Sequence, residues 1–238
     1  MNGPANSGRR PKLAIHEAVA HELGVAIVAG AFKPGDVLPG EERFSLDRRI
    51  SRSAYREGVR ILAAKGLVYS RTRVGIRVNA RLCWNMLDPD VLAWMFEAGP
   101  DFEFVKGIFE LRFVVEPEAA AMAALRRDSR ELAVMGAALQ EMERWGLLTV
   151  EGRAADEQFH SLVVQATRNE PFIALSHSIA AAVRWTSKFA REDRGQSRDP
   201  MPDHYAVYDA LAQGDAAAAR AAMVVLVRNA SGDAGAEV

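Results

Sequence analysis

Cysteine is almost missing from this chain: Cys83 is the only one in 238 residues. A single cysteine excludes a disulfide framework and a cysteine-ligated zinc finger or ribbon. Long apolar runs are missing as well, and none approaches the ~18–20 residues that cross a bilayer. The opening stretch MNGPANSGRRPK is polar and lacks the apolar centre of a secretory signal. The expected location is the cytoplasm, with no membrane partner. Hydrophobic residues make up 49% of the chain, which excludes a mainly disordered or fibrous polymer. The length admits one large domain or two small ones.

Net charge is nearly absent too, at −1, but its distribution is uneven. Residues 1–80 carry 14 Lys+Arg and 7 Asp+Glu, a balance of +7, whereas residues 81–238 carry 16 and 24, a balance of −8. Over 43–77 there are ten basic residues and two acidic ones. This asymmetry predicts a basic domain suited to a polyanion, joined to an acidic one.

The periodicity predicts a helix over 12–29, a turn at KPGD, and a short helix over 41–48. A second short helix follows over 52–65, with Ser51 as its N-cap and Gly66 past its end. LVYSR and IRV flank a Gly-bearing turn and read as a β-hairpin. Three helices and a hairpin in this order make a winged helix-turn-helix over 10–80. Its recognition helix begins after Ser51. Residues 81–100 read as a linker with a short helix. Residues 101–232 read as an all-α bundle of six or seven helices, one of them interrupted before Pro117. Ser129 is the expected cap of the helix that follows.

Nucleic-acid contact requires cations for phosphates and forked donors for guanine edges. SRSAYRE supplies both: Ser51 and Ser53 are small hydroxyls at a helix N-terminus, and Arg52 and Arg56 share a face at i, i+4. Arg49 and Arg60 extend the basic stripe, and Arg71, Arg73 and Arg77 charge the wing. In the second half, Asp156 and His160 also stand i, i+4, a spacing that can chelate a metal, with His204 on a later helix. The alternative for such a pair is a surface or core hydrogen bond.

The stretch LPGEERFSLDRRISRSAYREGVRILAAKGLV, closed by RVGIRV, resembles the DNA-binding domain of GntR-family bacterial transcription regulators. The matching positions are Leu38, Pro39, Glu41, Ser51, Arg52, Ser53, Arg56, Glu57, Gly66, Leu67 and Gly75. The resemblance implies operator contacts from Arg52 and Arg56, and Arg43, Arg49, Ser51, Ser53 and Arg73 are further candidates for DNA contact. It also implies a wing whose Gly75 lets the hairpin enter the minor groove. Many members carry Arg directly after the Leu-Pro-x-Glu unit. Here Glu42 stands there with Arg43 beside it, which implies an altered operator preference.

The pattern Arg112…Glu116-Pro117, Asp156-x-x-Phe159-His160, Asn169, His204 and Gly214-Asp215 resembles the helical FCD effector domain of the FadR-type subfamily. In that domain the equivalents of Asp156, His160 and His204, with one more His on the last helix, bind a divalent metal that helps hold a carboxylate effector. The last-helix position falls near Leu226 here, which leaves three ligands with open positions, a set that can still hold zinc or nickel, with a water-completed or metal-free site as the alternatives. His177 is a candidate substitute, with a polar spot on an apolar helix as its plainer reading. WNMLDPDVLAWMFE resembles the galactonate-operon repressor subgroup, whose effectors are sugar acids or their dehydrated products.

Arg112 is then the expected carboxylate partner, because its fork binds carboxylates in bidentate fashion. An ion pair with Glu116 is its alternative. Asn169 and Trp185 are expected to add polar and stacking contacts, with a cap or a core position as their alternatives. The function implied is a homodimeric, effector-responsive regulator, with repression relieved by a small carboxylate such as galactonate. Two other readings are weighed against it. One is a metal-dependent hydrolase with an accessory DNA-binding domain. The other is an architectural DNA-binding dimer with no effector.

Overall fold

The computed structural model describes residues 14–71, 74–190 and 198–236. The chain divides into two compact units, one ending at Ala98 and the other beginning at Gly99.

The first unit contains α1 (Ile15–Val28), α2 (Glu41–Arg48) and α3 (Arg52–Ala64). Strands β1 (Val68–Arg71) and β2 (Gly75–Val78) follow, then a 3-10 turn at Arg81–Cys83 and α4 (Pro89–Glu97). The strands pair antiparallel from Val68 opposite Val78 to Arg71 opposite Gly75. Leu23, Ile27, Tyr55, Leu62 and Leu67 form a buried core where α1 packs on α3. Gly58 permits that approach, since a Cβ there would lie 2.6 Å from Val19 Cγ1. Gly66 ends the helical run with φ +76°, and its ideal Cβ would sit 2.1 Å from the Cys83 carbonyl oxygen, so only glycine fits.

The stretch read as a linker is not extended away from this unit. Trp84, Val91, Leu92, Trp94 and Met95 are buried, and α4 packs on α1. The Lys65 ammonium anchors it by donating to Asp88, the N-cap of α4, at 2.7 Å and to Asp90 at 2.8 Å.

The second unit is all helical among the described residues. Its helices are α5 (Phe102–Arg126), α6 (Ser129–Trp145), α7 (Val150–Ala166), α8 (Glu170–Ala174), α9 (Ser176–Lys188), α10 (Met201–Gln213) and α11 (Ala216–Asp233). Acidic and hydroxyl N-caps start most of them: Asp101, Asp128, Thr149 and Asp215 each accept from a backbone N–H of the first turn. The cap of α6 is Asp128, one residue before the expected Ser129, and Glu131 closes a capping box back onto it.

The expected interruption before Pro117 does not occur, and α5 is continuous through it. A proline inside a helix removes one backbone hydrogen bond. Burial outweighs that loss here. Val115, Glu116, Pro117, Ala119, Ala120, Ala123 and Ala124 are all buried, in a helix that packs on α11, α7 and α10. Further along, Leu175 separates the short α8 from α9.

Candidate functional site

In the first unit the turn between α2 and α3 is rigidly supported. Arg49 caps α2 in the left-handed region at φ 53°, and the Ile50 N–H donates to the Ser45 carbonyl. Tyr55 is buried, packs on Phe44 at 5.2 Å between ring centroids, and donates its hydroxyl to the Pro39 carbonyl at 2.5 Å. Ser51 spends its side chain as the N-cap of α3, accepting from Ala54 N at 3.1 Å, with Ser53 Oγ 3.0 Å away.

The basic residues of this unit fall into three groups. Arg48 donates to Glu22 on α1 at 2.5 Å, Arg60 donates to Glu57, Arg43 lies 3.9 Å from Asp47, and Arg77 donates to the Gly35 carbonyl. Arg49 and Arg56 are exposed with no ion pair among the described residues. Arg52, at the first position of α3, donates Nη2 to Glu42 Oε1 at 2.8 Å. Gly75, at the start of β2, has φ +95° and is exposed. Arg73 lies outside the described residues.

In the second unit α7 carries Asp156 and His160 one turn apart on its buried face, and α10 brings His204 to them across 48 positions of sequence. All three side chains are at most 3% exposed. Asp156 Oδ1 lies 3.1 Å from His204 Nε2 and 3.5 Å from His160 Nε2, and one ligand atom from each residue falls within 4.8 Å of the others. They line a cavity of about 30 Å³ together with Arg112, Arg198, Leu226 and others.

Both rings are oriented from behind. His204 Nδ1 lies 2.9 Å from the Pro200 carbonyl, which only accepts, so Nδ1 carries a hydrogen and Nε2 is the ring nitrogen turned to Asp156 and the cavity. His160 Nδ1 lies 2.5 Å from Glu116 Oε2, an outer carboxylate that fixes the ring in the same sense. Asp156 Oδ2 accepts from Ser187 Oγ at 2.9 Å, which leaves Oδ1 facing both rings. Two imidazole nitrogens and one carboxylate oxygen, each held by a further partner, make a donor set that fits zinc, nickel or a similar divalent cation.

The charges reinforce this arrangement. Burial alone would neutralise Glu116, but the Arg112 guanidinium and His160 outweigh it and hold its pKa down at about 2. Burial likewise opposes an imidazolium at His160, and the Glu116 and Asp156 carboxylates overcome it and raise the pKa to about 9. Asp156, although buried, is held well below the usual carboxylate range by its hydrogen bonds to His160 and His204. The cluster thus stabilises positive charge: with no metal bound His160 is held as an imidazolium, and a cation would take the place of its Nε2 proton.

Arg112, Asp156, His160 and His204 are brought together, but Arg112 is already engaged. Its Nε donates to Glu116 Oε1 at 2.5 Å and its Nη1 to Thr186 Oγ1 at 2.8 Å, so the ion pair weighed as its alternative is formed. Leu226 on α11 is buried and lines the cavity at the place expected to lack a fourth ligand. His177 is exposed, so it does not complete the set. Asn169 is the N-cap of α8, and neither it nor Trp185 is among the described residues lining the cavity. On α9 the residues after Trp185 face this site: Thr186 meets Arg112 and Ser187 meets Asp156.

Sequence reasoning missed the roles of Glu116, Ser187 and Arg198. The i, i+4 spacing of Arg112, Glu116 and the adjacent Pro117 was the only local signal, and it identifies an ion pair without revealing that His160 shares it. Arg198 lines the cavity and pairs with Asp203.

Comparison with known proteins agrees with both halves. Residues 15–78 match the gntR family of bacterial regulatory proteins, and residues 107–229 match the FCD domain. The galactonate operon transcriptional repressor of Escherichia coli K12 is 33% identical over 208 residues, covering 86% of this chain and 90% of that protein. The HTH-type regulator YieP of the same organism is 29% identical, covering 89% and 91%. The solved structure of Lar from Listeria monocytogenes aligns with a TM-score of 0.67 at 20% identity, over 95% of this chain and 99% of that one. With a winged helix-turn-helix followed by an FCD domain, the chain belongs to the GntR family of bacterial transcription regulators.

Proposed function

We propose that this regulator is a homodimeric repressor that binds a pseudo-palindromic operator and is released when its helical domain binds a small carboxylate through a divalent metal. The convergence of Asp156 Oδ1, His160 Nε2 and His204 Nε2 in one small cavity carries the reading. In the first unit Arg49, Ser51, Arg52, Ser53 and Arg56 surround the N-terminus of α3, the end of a recognition helix that meets base edges. A dimer places two such helices on two half-sites.

Asp156, His160 and His204 would hold the metal, and the bound cation would supply a Lewis-acid anchor for a carboxylate oxygen. Glu116 and Arg112 hold His160 in place, so Arg112 acts on the site mainly through Glu116. A cavity of about 30 Å³ admits a cation and a water-sized group, far less than a six-carbon sugar acid. Binding such an effector therefore requires the cavity to enlarge. The effector's preference for the opened arrangement is the free energy available to shift DNA binding. Similarity to the galactonate operon repressor supports a sugar acid as the class to test first.

The test uses the purified chain and the duplex upstream of its own gene, at fixed salt, with and without galactonate and related sugar acids. Metal content is measured in parallel. The wild type is expected to carry about one divalent metal per chain and to lose operator affinity with one of the acids. Asp156→Ala combined with His204→Ala should lose the metal and the response while retaining DNA binding. A double variant that still responds normally would place the effector elsewhere.

A further inference from the structure

We propose that Glu42 is a specificity-determining residue: its carboxylate orients the Arg52 guanidinium for base reading. The inference rests on the reading of α3 as the recognition helix. It begins from an acidic side chain paired with the first residue of the recognition helix. Glu42 is 80% exposed and Arg52 63%, and Arg52 Nη2 donates to Glu42 Oε1 at 2.8 Å.

Stability does not account for this pair. Ion pairs this exposed contribute little to folding, because water screens both charges. Removing Glu42 would also favour non-specific DNA binding, since a carboxylate near phosphates is repelled. What the pair does supply is direction. Arg52 is the first residue of α3 and Glu42 the second of α2, and the two backbones are locked together by the Tyr55 hydroxyl on Pro39, the Phe44 ring and the left-handed Arg49. A flexible guanidinium is thereby held from a rigid point. One of its five N–H donors is used and the remainder stay available for the O6 and N7 atoms of a guanine. When the interface excludes water, the screening that makes the pair weak in the free protein diminishes, so the restraint strengthens where reading occurs.

Arg56 and Arg49 carry no such restraint among the described residues, which sets Arg52 apart from its neighbours. Competition is the opposing physical possibility: Glu42 would merely occupy Arg52 and be shed on binding. The two differ in the pattern of sequence preference, not in affinity alone.

The experiment selects duplexes from a random pool with the full-length wild type, then measures single-base-substitution profiles on the enriched duplex at fixed salt. Arg52→Ala identifies the base pair that Arg52 reads. Glu42→Ala is expected to lower discrimination at that same base pair about tenfold while raising affinity for unrelated duplex, and Glu42→Gln, which retains an acceptor oxygen, should keep most of it. Adding Glu42→Ala to Arg52→Ala should change the profile no further. A Glu42→Ala profile identical to wild type, with affinity raised uniformly, overturns the proposal and leaves the recognition helix standing. An unchanged profile in Arg52→Ala overturns the placement of Arg52 and this inference with it. A wild type that enriches no sequence overturns the DNA reading itself.

Discussion

Replacing Glu116 with alanine tests the buried network most directly. The carboxylate is 1% exposed and is shared by two cationic partners, Arg112 Nε and His160 Nδ1, each 2.5 Å away. Its removal leaves the Arg112 guanidinium, 2% exposed, with only the neutral Thr186 Oγ1 and the Phe109 ring, 5.2 Å away, beside it among the described residues. Breaking a buried ion pair from one side costs about 3–5 kcal/mol, because the surviving charge remains desolvated. His160 does not double the penalty, since an imidazole deprived of its carboxylate can become neutral, which a guanidinium cannot. In a unit of roughly 140 residues, that loss lowers the melting temperature by about 10–15 °C.

The assay is thermal and urea unfolding followed by far-UV circular dichroism. The informative control replaces both charges, Arg112→Met with Glu116→Leu, and should recover most of the loss, because no buried charge is then left alone. Glu116→Gln, which keeps the shape, should weaken divalent-metal affinity about 10- to 100-fold by releasing the His160 ring. A Glu116→Ala protein within about 1 kcal/mol of wild type would refute the reasoning. It would mean that Arg112 reaches water or another acceptor, and that the carboxylate does not compensate it.

Arg56→Ala should weaken specific operator binding about tenfold, the scale of one lost bidentate base contact, with the melting temperature unchanged, because Arg56 is exposed with no ion pair among the described residues. Equal loss on operator and random duplex, read by a salt-controlled titration, would reassign it to a phosphate. Gly66→Ala should destabilise the first unit by more than about 2 kcal/mol, since it combines φ +76° with a Cβ 2.1 Å from a backbone carbonyl. Normal unfolding of that variant would show that the 81–83 turn can move aside.

Near-neighbour interactions in the sequence determined much of this protein. Ser51 as a cap, Gly66 past the end of α3 and the β-prone runs around Gly75 are local choices, and they suffice to read a winged helix-turn-helix. Asp156 and His160 are legible together because one helical turn relates them. The remaining features depend on which helix faces which, and nothing local encodes that. Pro117 would break an isolated helix, but the packing of α5 on α11 and α7 carries it through. His204 joins Asp156 only because α10 packs where it does, and Glu116 is recognisable as a partner of His160 only once α5 and α7 are in contact. The Glu42–Arg52 pair likewise spans two helices fixed by a tyrosine that the pattern marks merely as apolar. Periodicity and capping are governed by residues within a few positions of one another. Buried polar networks require desolvation and matched geometry across elements, and those arise only when the whole core closes.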